Sequence, residues 1–356
     1  MATNPGFFNL KTDKLIPVDE FIEKVLYHPD KGYYSKKIPF GKQGDFITAP
    51  TISNLFSEII GIWLVSTWEK LGKPKRFNFV ELGPGDGSLT KVLVRIFEKF
   101  PEFNESIKIY LYEKSDLLKN TQKNKIRSSK VKWINNFDLI NKGPVIFFGN
   151  EFFDAIPGKQ FSRKRNLLLE KYYLLNKKNK IDEIYKKASY KYISQIKKFK
   201  ILNNLKFVEF PKLGLDELNK IIKKISKLEG GLLLIDYGYL KAKNKNTLQS
   251  LIKHKKNRLL DNLGKADITS LVNFNLLSEY FVKNNLKVKK IVTQKFFLEK
   301  MGILERANNL SQKMNFNEQS NLYFRLKRLL DKKLMGNLFK VIFTYKFKKD
   351  NFLGFE

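Results

Sequence analysis

The chain of 356 residues contains no cysteine and only two histidines, His28 and His254. Without cysteine there is no disulfide bond and no thiol nucleophile, and two histidines are too few for a typical zinc site, so we predict no metal. His254 stands among lysines, and we interpret it as a surface residue. No apolar run approaches the roughly 20 residues of a membrane span, so we expect no membrane insertion.

The first residues, up to Pro17, lack both an apolar stretch and arginine. A secretory signal needs the apolar stretch, and a transit peptide is rich in arginine. We therefore predict a cytoplasmic protein, as in a bacterium.

Arginine is also scarce, although the formal net charge is +33. Nine of the 68 basic residues are arginine, and the lysines are spread along the whole chain. A nucleic-acid footprint would concentrate basic residues in one patch. The densest run, 186–200, carries an apolar stripe at helical spacing and predicts a helix with a solvated face. We favour a solvated lysine surface, with attraction to an acidic partner or to RNA as the alternative.

Three glycines alternate with other residues directly after an apolar run: Gly83, Gly85 and Gly87. A helical pattern over 89–100 follows, so the segment predicts a strand, a tight turn and a helix, the layout of a nucleotide-type cofactor site. A side chain in such a turn would keep the backbone away from the cofactor. The dinucleotide motif would need a third glycine where Ser88 stands, which disfavours an NAD enzyme. The spacing found, with Glu81 two residues before the first glycine, suits S-adenosyl-L-methionine (SAM).

Apolar runs of four to six residues alternate with helical patterns through the chain. The predicted strands cover 77–82, 107–112, 131–134, 145–148 and 232–235, and the runs 288–292 and 339–345 predict closing strands. Further helices are predicted at about 115–126, 214–228 and 268–284, and a hairpin near 167–175. This alternation is typical of an α/β fold with a mostly parallel sheet and helices on both faces, here Rossmann-like.

The same patterns divide the chain into four parts. Residues 1–75 form an N-terminal region of helices and loops that covers the active site, and 76–158 form the first part of the core. Residues 159–230 are an insertion with a hairpin and helices, which would meet the substrate. Residues 231–356 complete the core. The added elements are expected to be mainly helical.

The second predicted strand ends in Glu113. A carboxylate at this place can accept hydrogen bonds from both ribose hydroxyls of an adenosyl group. Ligands of open parallel sheets bind at the carboxyl ends of the strands, where the strand order reverses, so the glycines and Glu113 should lie together. The alternative is a surface glutamate at a strand end.

Asn150, Glu151 and Asp154 follow the fourth predicted strand and open onto the same edge. Two carboxylates and an amide among aromatic residues suit a cationic substrate, because a carboxylate grips a guanidinium bidentately. A guanidinium is too weak an acid to be deprotonated beforehand. We therefore expect the site to aim its nitrogen at the methyl group, with the proton lost as the bond forms. The alternative is a capped strand-to-helix turn. Asp236, after the fifth strand, is either a site residue or a turn residue.

Together these segments resemble the MidA-like family of SAM-dependent methyltransferases, whose mitochondrial members are protein arginine methyltransferases needed to assemble respiratory complex I. The matching segments run nearly end to end: 32–35, 44–50, 55–64, 81–89, 150–157, 236–238, 266–269, 301–303 and 339–341. The glycine turn is common to many methyltransferases, whereas the runs 45–50 and 150–155 are specific. The chain departs from the family in three places. Thr51 stands where the family often has glutamate, Asn273 stands where it often has aspartate, and the middle of the chain is unusually rich in lysine.

The resemblance implies methyl transfer from SAM to an arginine of a protein, with S-adenosyl-L-homocysteine as product and a 49-kDa-type complex I subunit as target. It implies these cofactor-binding residues: Glu81, Gly83, Gly85, Gly87, Glu113, Asp45, Thr48 and Pro50. It implies these residues at the reacting group: Glu151, Asp154 and Asn150. Two other functions stay open, an assembly chaperone that keeps SAM as a structural ligand and an RNA methyltransferase.

Overall fold

The computed structural model describes residues 7–8, 12–36, 39, 47–165, 167–176, 180–252 and 255–356. The N-terminal elements are β1 (Lys14–Pro17), α1 (Val18–Tyr27), α2 (Tyr33–Lys36), α3 (Ala49–Ile52) and α4 (Asn54–Lys70). The core begins with β2 (Phe77–Leu82), α5 (Ser88–Phe97), α6 (Pro101–Ser106), β3 (Ile107–Tyr112), α7 (Asp116–Ile126), β4 (Val131–Ile134) and β5 (Val145–Asn150). His254 and Asp45 lie outside the described residues.

An inserted region follows the fifth strand: β6 (Lys159–Lys164), β7 (Leu167–Leu175), β8 (Ile181–Lys187), α8 (Tyr190–Lys197), a 3₁₀ turn (Lys200–Leu202), β9 (Phe207–Phe210) and α9 (Lys212–Leu228). The chain then forms β10 (Gly230–Tyr239), β11 (Gln249–Ile252), β12 (Lys255–Asn257), β13 (Asp267–Thr269), β14 (Val272–Asn273), α10 (Phe274–Lys283), β15 (Lys287–Val288) and β16 (Val292–Thr293). The last elements are α11 (Gln294–Lys300), α12 (Ile303–Ser311), α13 (Phe316–Leu330), α14 (Met335–Leu338) and β17 (Phe339–Tyr345).

The central sheet has the strand order β15-β17-β10-β5-β2-β3-β4, with β14 and β16 pairing at its side. Five neighbouring strands run parallel to one another: β4, β3, β2, β5 and β10. The strand β17 runs antiparallel to β10. The chain moves outward in one direction from β2 to β4 and then crosses back to β5. The strand order therefore reverses beside β2, which is where a ligand crevice opens in such sheets. The predicted α/β Rossmann-like fold is confirmed.

Both faces of this sheet are buried. Along β2, Phe77 and Phe79 pack into one core with α4 and α5, while Val80 and Leu82 pack into the opposite core with α9 and α10. This two-sided burial explains why the strands are continuous apolar runs in the sequence and why their bounds were predictable.

The inserted region is not mainly helical, and that part of the prediction is wrong. Four of its strands and β1 form an antiparallel sheet in the order β1-β7-β6-β9, with β8 added at β7. The hairpin expected near 167–175 is instead the single long strand β7, which pairs with β6, β8 and β1. The strand β8 is polar and largely exposed on both faces, so it has no apolar alternation that would reveal it.

Two predicted elements near the end of the chain also differ. The helix expected over 268–284 begins at Phe274, because Asn273 caps it through a hydrogen bond from Leu276 N–H, and the residues before it pair as β13 and β14. The run 288–292 splits into two short strands against β17. Four helices, α11 to α14, stand between β16 and β17, where the sequence analysis predicted no element. The four-part domain division stays a prediction.

The described residues contain neither a membrane-spanning helix nor a metal-binding cluster of acidic and histidine side chains. No helix in these ranges has the length and apolarity to cross a bilayer. No group of three histidine, aspartate or glutamate side chains within the described ranges is arranged to hold a metal ion.

A buried ion-pair triad fastens α1 to the antiparallel sheet. Lys159 Nζ lies 3.0 Å from Asp19 Oδ1 and 2.9 Å from Glu170 Oε1, and all three side chains are at most 5% exposed. Removing the cation would leave two buried carboxylates close together without a counter-charge, which is strongly destabilising.

We expect Lys159→Met to lower the free energy of unfolding by about 3–5 kcal/mol, because Asp19 and Glu170 lose their shared cation. Urea unfolding followed by circular dichroism measures the change. Lys164→Met, at the exposed end of the same strand, is the control and should shift stability by no more than about 0.5 kcal/mol. Equal effects of the two substitutions would contradict a structural role for the triad.

Candidate functional site

The chain turns sharply between β2 and α5. All three predicted glycines have positive φ, +60° at Gly83, +57° at Gly85 and +78° at Gly87. Non-glycine residues rarely adopt this left-handed conformation. A Cβ atom at Gly83 would lie 3.0 Å from the ring of Phe152, and one at Gly87 would lie 3.1 Å from Ile126. The turn therefore requires glycine both for its backbone and for the space around it.

Glu81 lies beneath this turn and does not line the neighbouring cavity. Its side chain is buried and accepts a hydrogen bond from the hydroxyl of Thr90 on α5. Burial raises the pKa of Glu81 to about 8, against the opposing effect of that hydrogen bond. Glu81 therefore supports the start of α5, and its predicted role in cofactor binding stays a prediction. Gly87 likewise caps α5 and lies outside the cavity wall.

A cavity of about 680 Å³, open solvent included, lies at the carboxyl ends of β2, β3 and β5. Four predicted site residues line it together: Gly83, Gly85, Glu113 and Glu151. Its other walls are largely aromatic or aliphatic: Tyr27, Tyr34, Tyr112, Leu118, Phe152, Ala155 and Ile156. An apolar cleft of this size with a few convergent polar groups is typical of a small-molecule site.

Glu113 is held in place from two sides. Its Oε1 accepts the backbone N–H of Ser115 at 2.9 Å, and its Oε2 accepts Gln122 Nε2 at 3.1 Å. Each carboxylate oxygen offers two acceptor positions, so both keep one for a ligand hydroxyl. Burial raises the pKa of Glu113, and these hydrogen bonds lower it. Glu113 therefore has the location and the free acceptor capacity that ribose binding needs.

Gln122 is a site residue that the sequence analysis missed. Its Nε2 donates to Gly85 O at 2.8 Å as well as to Glu113, and its Oε1 accepts Trp133 Nε1 at 2.8 Å. One buried amide thus ties the glycine turn to the carboxylate. Its signal in the sequence is only a glutamine in a polar helix, and nothing in the helical pattern of α7 distinguishes it.

Glu151 lines the cavity with a strained backbone. Its φ is +52°, and its N–H donates to Ile235 O at 2.9 Å. A left-handed non-glycine residue costs of order 1 kcal/mol and is found preferentially at functional sites. The pKa of Glu151 is raised to about 8. Burial has the largest effect and the charge of Asp154 adds to it, whereas hydrogen bonds from Asn150 and from Ala49 N–H act in the opposite direction. The carboxyl is therefore poised to change protonation near neutral pH.

Asp236 holds the turn that carries this glutamate. Its Oδ2 accepts the backbone N–H groups of Phe153 at 2.9 Å and Asp154 at 3.3 Å, and its side chain is buried. Burial and the charges of Asp154 and Glu151 raise its pKa well above the ordinary value. Of the two predicted alternatives, the structure supports a turn residue. Asp236 positions the acidic segment and does not line the cavity.

Asp154 and Asn150 stand behind the cavity wall. Burial raises the pKa of Asp154 to about 6, and hydrogen bonds from Tyr237 and nearby backbone groups lower it. Among the residues that the structure describes, neither Asp154 Oδ1 nor Asn150 Oδ1 has a hydrogen-bond donor, although both atoms are buried. Buried acceptors without donors are rare in native proteins. Both oxygens are therefore free to accept a hydrogen bond from a water or from a ligand.

Two tyrosines from the N-terminal helices form one wall of the cavity, and sequence reasoning missed their role. The rings of Tyr27 and Tyr34 stack with centroids 5.3 Å apart. Tyr27 donates through its hydroxyl to Ala155 O at 3.4 Å, and Ser115 Oγ donates to Tyr34 O at 2.9 Å. Burial raises the pKa of both phenols, so they are neutral near pH 7. The only signal in the sequence was that Tyr34 belongs to segment 32–35 of the family resemblance, and Tyr27 had none.

Thr48 and Pro50 do not line the cavity. Thr48 occupies the cap position of α3, where its carbonyl accepts the hydroxyl of Thr51, and Pro50 lies in the first turn. Their neighbour Ala49 directs its N–H at Glu151. The segment therefore orients Glu151, and the predicted roles of Thr48 and Pro50 in cofactor binding stay predictions. The predicted role of Asp45 falls outside the described residues.

These features fit an adenosyl cofactor. The glycine turn lies at the reversal of strand order, a carboxylate with spare acceptor positions ends the next strand, and the cavity lies in the range of ligand sites, about 300–1,000 Å³. SAM has no pyrophosphate, so a SAM site does not need the third glycine of the dinucleotide motif, which is Ser88 here. Fold and site together define the class of Rossmann-like SAM-dependent methyltransferases.

Comparison with known proteins identifies the family. Residues 59–292 match the family model described as "Putative S-adenosyl-L-methionine-dependent methyltransferase". The chain is 29% identical to the mitochondrial protein arginine methyltransferase NDUFAF7 of Xenopus laevis, over 95% of this chain and 82% of that protein. It is 30% identical to the Caenorhabditis elegans homolog, over 83% of this chain and 75% of that protein.

A crystal structure of a Burkholderia thailandensis protein bound to S-adenosyl-homocysteine shares the fold. Its TM-score is 0.80 at 20% identity, covering 96% of this chain and 90% of that one. The chain belongs to the MidA/NDUFAF7 family of SAM-dependent methyltransferases. The predicted family and the predicted cofactor, SAM, are confirmed, and the NAD alternative is excluded.

We expect Gly85→Val to weaken binding of S-adenosyl-L-homocysteine by about 100-fold or more, because a branched side chain on left-handed backbone would enter the cavity floor. Isothermal titration calorimetry measures it. Gly72→Val is the matched control, since Gly72 also has positive φ, +86°, but open space around it. Unchanged affinity in the Gly85 variant would show that the adenosyl group binds elsewhere.

Proposed function

We propose that this enzyme transfers a methyl group from SAM to the guanidinium of an arginine in a protein. The observation that carries the proposal is the buried acidic wall of the cavity, where Glu151 lines the space and Asp154 and Asn150 lie behind it with unused acceptors. Such a wall suits a planar cation with several N–H donors. The names of the relatives, protein arginine methyltransferases, support the same substrate class.

The cofactor roles follow from the placement of the residues. Gly83 and Gly85 admit the cofactor against the backbone, and Glu113 accepts the ribose hydroxyls. Gln122 keeps these groups in register through its hydrogen bonds to Gly85 and Glu113. Glu81 acts from below, by holding the start of α5.

The charge balance explains why the wall is acidic. Bound SAM supplies a methyl group on a positively charged sulfonium, and the arginine brings a second positive charge to the same cavity. A guanidinium nitrogen forms the bond to the methyl carbon as the carbon–sulfur bond breaks, with its electron pair going to sulfur. The methylated guanidinium keeps one positive charge, and one proton must leave. Glu151 offsets the paired cations and, with a pKa of about 8 in the free enzyme, is a suitable acceptor for that proton.

Positioning contributes most of the rate in this scheme, because methyl displacement needs in-line geometry. The left-handed backbone of Glu151 and the two hydrogen bonds from the turn to Asp236 hold the carboxylate in one orientation. Tyr27 and Tyr34 offer aromatic faces on which a guanidinium can stack. Arginine, with its rigid fork of donors, fits these constraints better than lysine.

The target is proposed to be a 49-kDa-type subunit of respiratory complex I, methylated during assembly in the bacterial cytoplasm or the mitochondrial matrix. An assembly chaperone that binds SAM without essential catalysis is the second candidate, favoured by exposed aromatic residues on α13, among them Phe316 at 82% exposure. An RNA methyltransferase is disfavoured, because an acidic cavity wall repels phosphate.

We expect Glu151→Gln to lower kcat by about 100-fold or more while the affinity for SAM changes less than about threefold, because the amide cannot offset the guanidinium or accept its proton. Transfer of tritiated methyl from SAM to the recombinant subunit measures it. Glu209→Gln, a half-buried carboxyl with a raised pKa outside the cofactor cavity, is the control and should retain activity. Full activity of the Glu151 variant would refute its role. Inactive protein that still supports complex I assembly in cells would favour the chaperone.

The pH profile provides a second test. Glu151 must be ionised to hold the guanidinium, and its pKa in the free enzyme is about 8. The sulfonium and the arginine keep their charges over this range. We expect kcat/KM to rise about tenfold per pH unit below pH 8 and to level off above it. The residual kcat/KM of Glu151→Gln should not show this rise with pH. A rise that persists in the variant would show that another group titrates.

A further inference from the structure

A large cleft on the side of the sheet that packs α4 and α5 lies between these helices and α12 and α13. It consists of two adjoining cavities of about 840 Å³ and 1090 Å³, open solvent included. Both cavities are lined by Glu58, Arg95, Lys99 and Arg306, and the larger one also by Arg325. We call this space the arginine cleft. None of its residues belongs to the cofactor cavity.

Arginine is concentrated here against the composition of the chain. Only nine of the 68 basic residues are arginine, yet three of them, Arg95, Arg306 and Arg325, line this one cleft. A solvated surface needs no arginine, and most of the basic residues outside the cleft are lysine. The arginine fork binds carboxylates bidentately, which an ammonium group cannot do. The cleft is therefore more than a part of the general lysine surface.

The positive charge of the cleft is largely uncompensated. Arg306 Nε pairs with Glu58 Oε2 at 2.7 Å. The other acid in the wall, Glu318, is engaged in the capping box of α13 with Asn315. Within the described ranges, Arg95, Lys99 and Arg325 form no ion pair, and all three are exposed. Three cations therefore face this space without an ion-pair partner, and the lining as a whole has four cations against the two carboxylates of Glu58 and Glu318.

The lining between these cations is apolar. It includes aliphatic and aromatic side chains from α4, α5 and the C-terminal helices: Ile59, Ile62, Ile96, Phe100, Leu310 and Leu322. Ile62 is 40% exposed, and Tyr323 and Phe324 on α13 are exposed by 61% and 63%. Exposed apolar surface next to a charged rim is typical of a protein-binding site. A nucleic-acid groove would present aromatic stacking platforms between phosphate contacts rather than an aliphatic lining.

We propose that the arginine cleft binds a segment of the protein substrate that is both acidic and apolar, while an arginine of the same substrate enters the cofactor cavity. The inference deepens the proposed function and rests on it. Aspartate or glutamate side chains of the segment pair with Arg95, Lys99 and Arg325. Its leucine or phenylalanine side chains fill the apolar lining.

The fold connects the cleft to the catalytic wall. Ser53 and Asn54 line the cleft and directly follow α3, whose Ala49 directs its N–H at Glu151. The helix α13 packs against α3 and carries Arg325 in the cleft, and one turn further Arg328, whose charge acts on Glu151. A segment bound in the cleft would therefore contact α13 and the residues directly after α3, and both of these helices adjoin Glu151.

Overall charge gives the cleft a role in selectivity. An enzyme with a formal charge of +33 repels a substrate whose arginine stands in a basic, arginine-rich context. An acidic flanking segment reverses the sign of that interaction and adds specific pairing in the cleft. The enzyme should therefore prefer arginine with acidic and apolar neighbours and should act poorly on arginine- and glycine-rich basic peptides.

The test uses a short fluorescent peptide rich in glutamate, leucine and phenylalanine around one arginine, and a second peptide with lysine in place of glutamate. Fluorescence anisotropy measures binding to the full-length enzyme with SAM present. We expect the double variant Arg95→Glu/Arg325→Glu to bind the acidic peptide at least about 30-fold more weakly, with kcat/KM reduced in parallel and kcat within about threefold. Arg258→Glu/Lys223→Glu, which reverses two exposed cations outside the cleft, is the charge-matched control and should change neither value.

Each outcome is decisive for one proposal. Equal binding of both peptides, or binding unaffected by the double variant, would overturn the cleft assignment while methyl transfer itself could persist. Cleft-dependent binding of the acidic peptide without any methylated product would support the cleft and refute the proposed reaction. Binding of single-stranded RNA that the double variant abolishes, with no acidic peptide bound, would overturn the inference in favour of nucleic acid. A Glu151→Gln enzyme that binds the acidic peptide normally separates docking from catalysis.

Discussion

The hydrogen bonds from two backbone N–H groups to one buried carboxylate, Asp236, organise the active site. By accepting from Phe153 and Asp154, this side chain fixes the turn after β5 and with it the left-handed backbone of Glu151. The turn in turn places Phe152 over Gly83, so the glycine can carry no side chain. The carboxylate is buried at the end of β10, and its interaction therefore depends on β5 and β10 lying side by side in the sheet.

Electrostatics divides the molecule into an acidic interior site and a basic exterior. The net charge of +33 acts at long range and is screened by salt within about 10 Å. The carboxylates of Glu151 and Asp154 act at short range in a poorly hydrated space, where charge–charge interactions are strong and ionising a carboxyl group costs free energy. The raised pKa values show that cost in the free protein. The arginine substrate proposed above would relieve that cost, although the net charge of the protein repels such a substrate from a distance.

Much of the core could be predicted because its strands are buried on both faces. The runs 77–82 and 107–112 are continuous apolar segments, and the structure has strands over the same residues. The five-stranded antiparallel sheet could not be predicted as a whole, because β1, β6, β8 and β9 are short or polar and the long strand β7 pairs with the distant β1. Gln122, Tyr27 and Tyr34 were missed for a similar reason: their roles come from contacts between elements far apart in the chain.

The sequence by itself determined the family, the cofactor class and the residues that meet at the edge of the sheet. These depend on local patterns: glycines where the backbone must be left-handed, apolar runs where a strand is buried, and carboxylates just after strands. Only the tertiary structure decided what each acidic residue does. Glu113 and Glu151 line the cavity, whereas Glu81 and Asp236 hold turns from beneath. All four are buried or strained carboxylates at strand ends, and only packing sets which neighbours satisfy their oxygens and which oxygens stay available for a ligand.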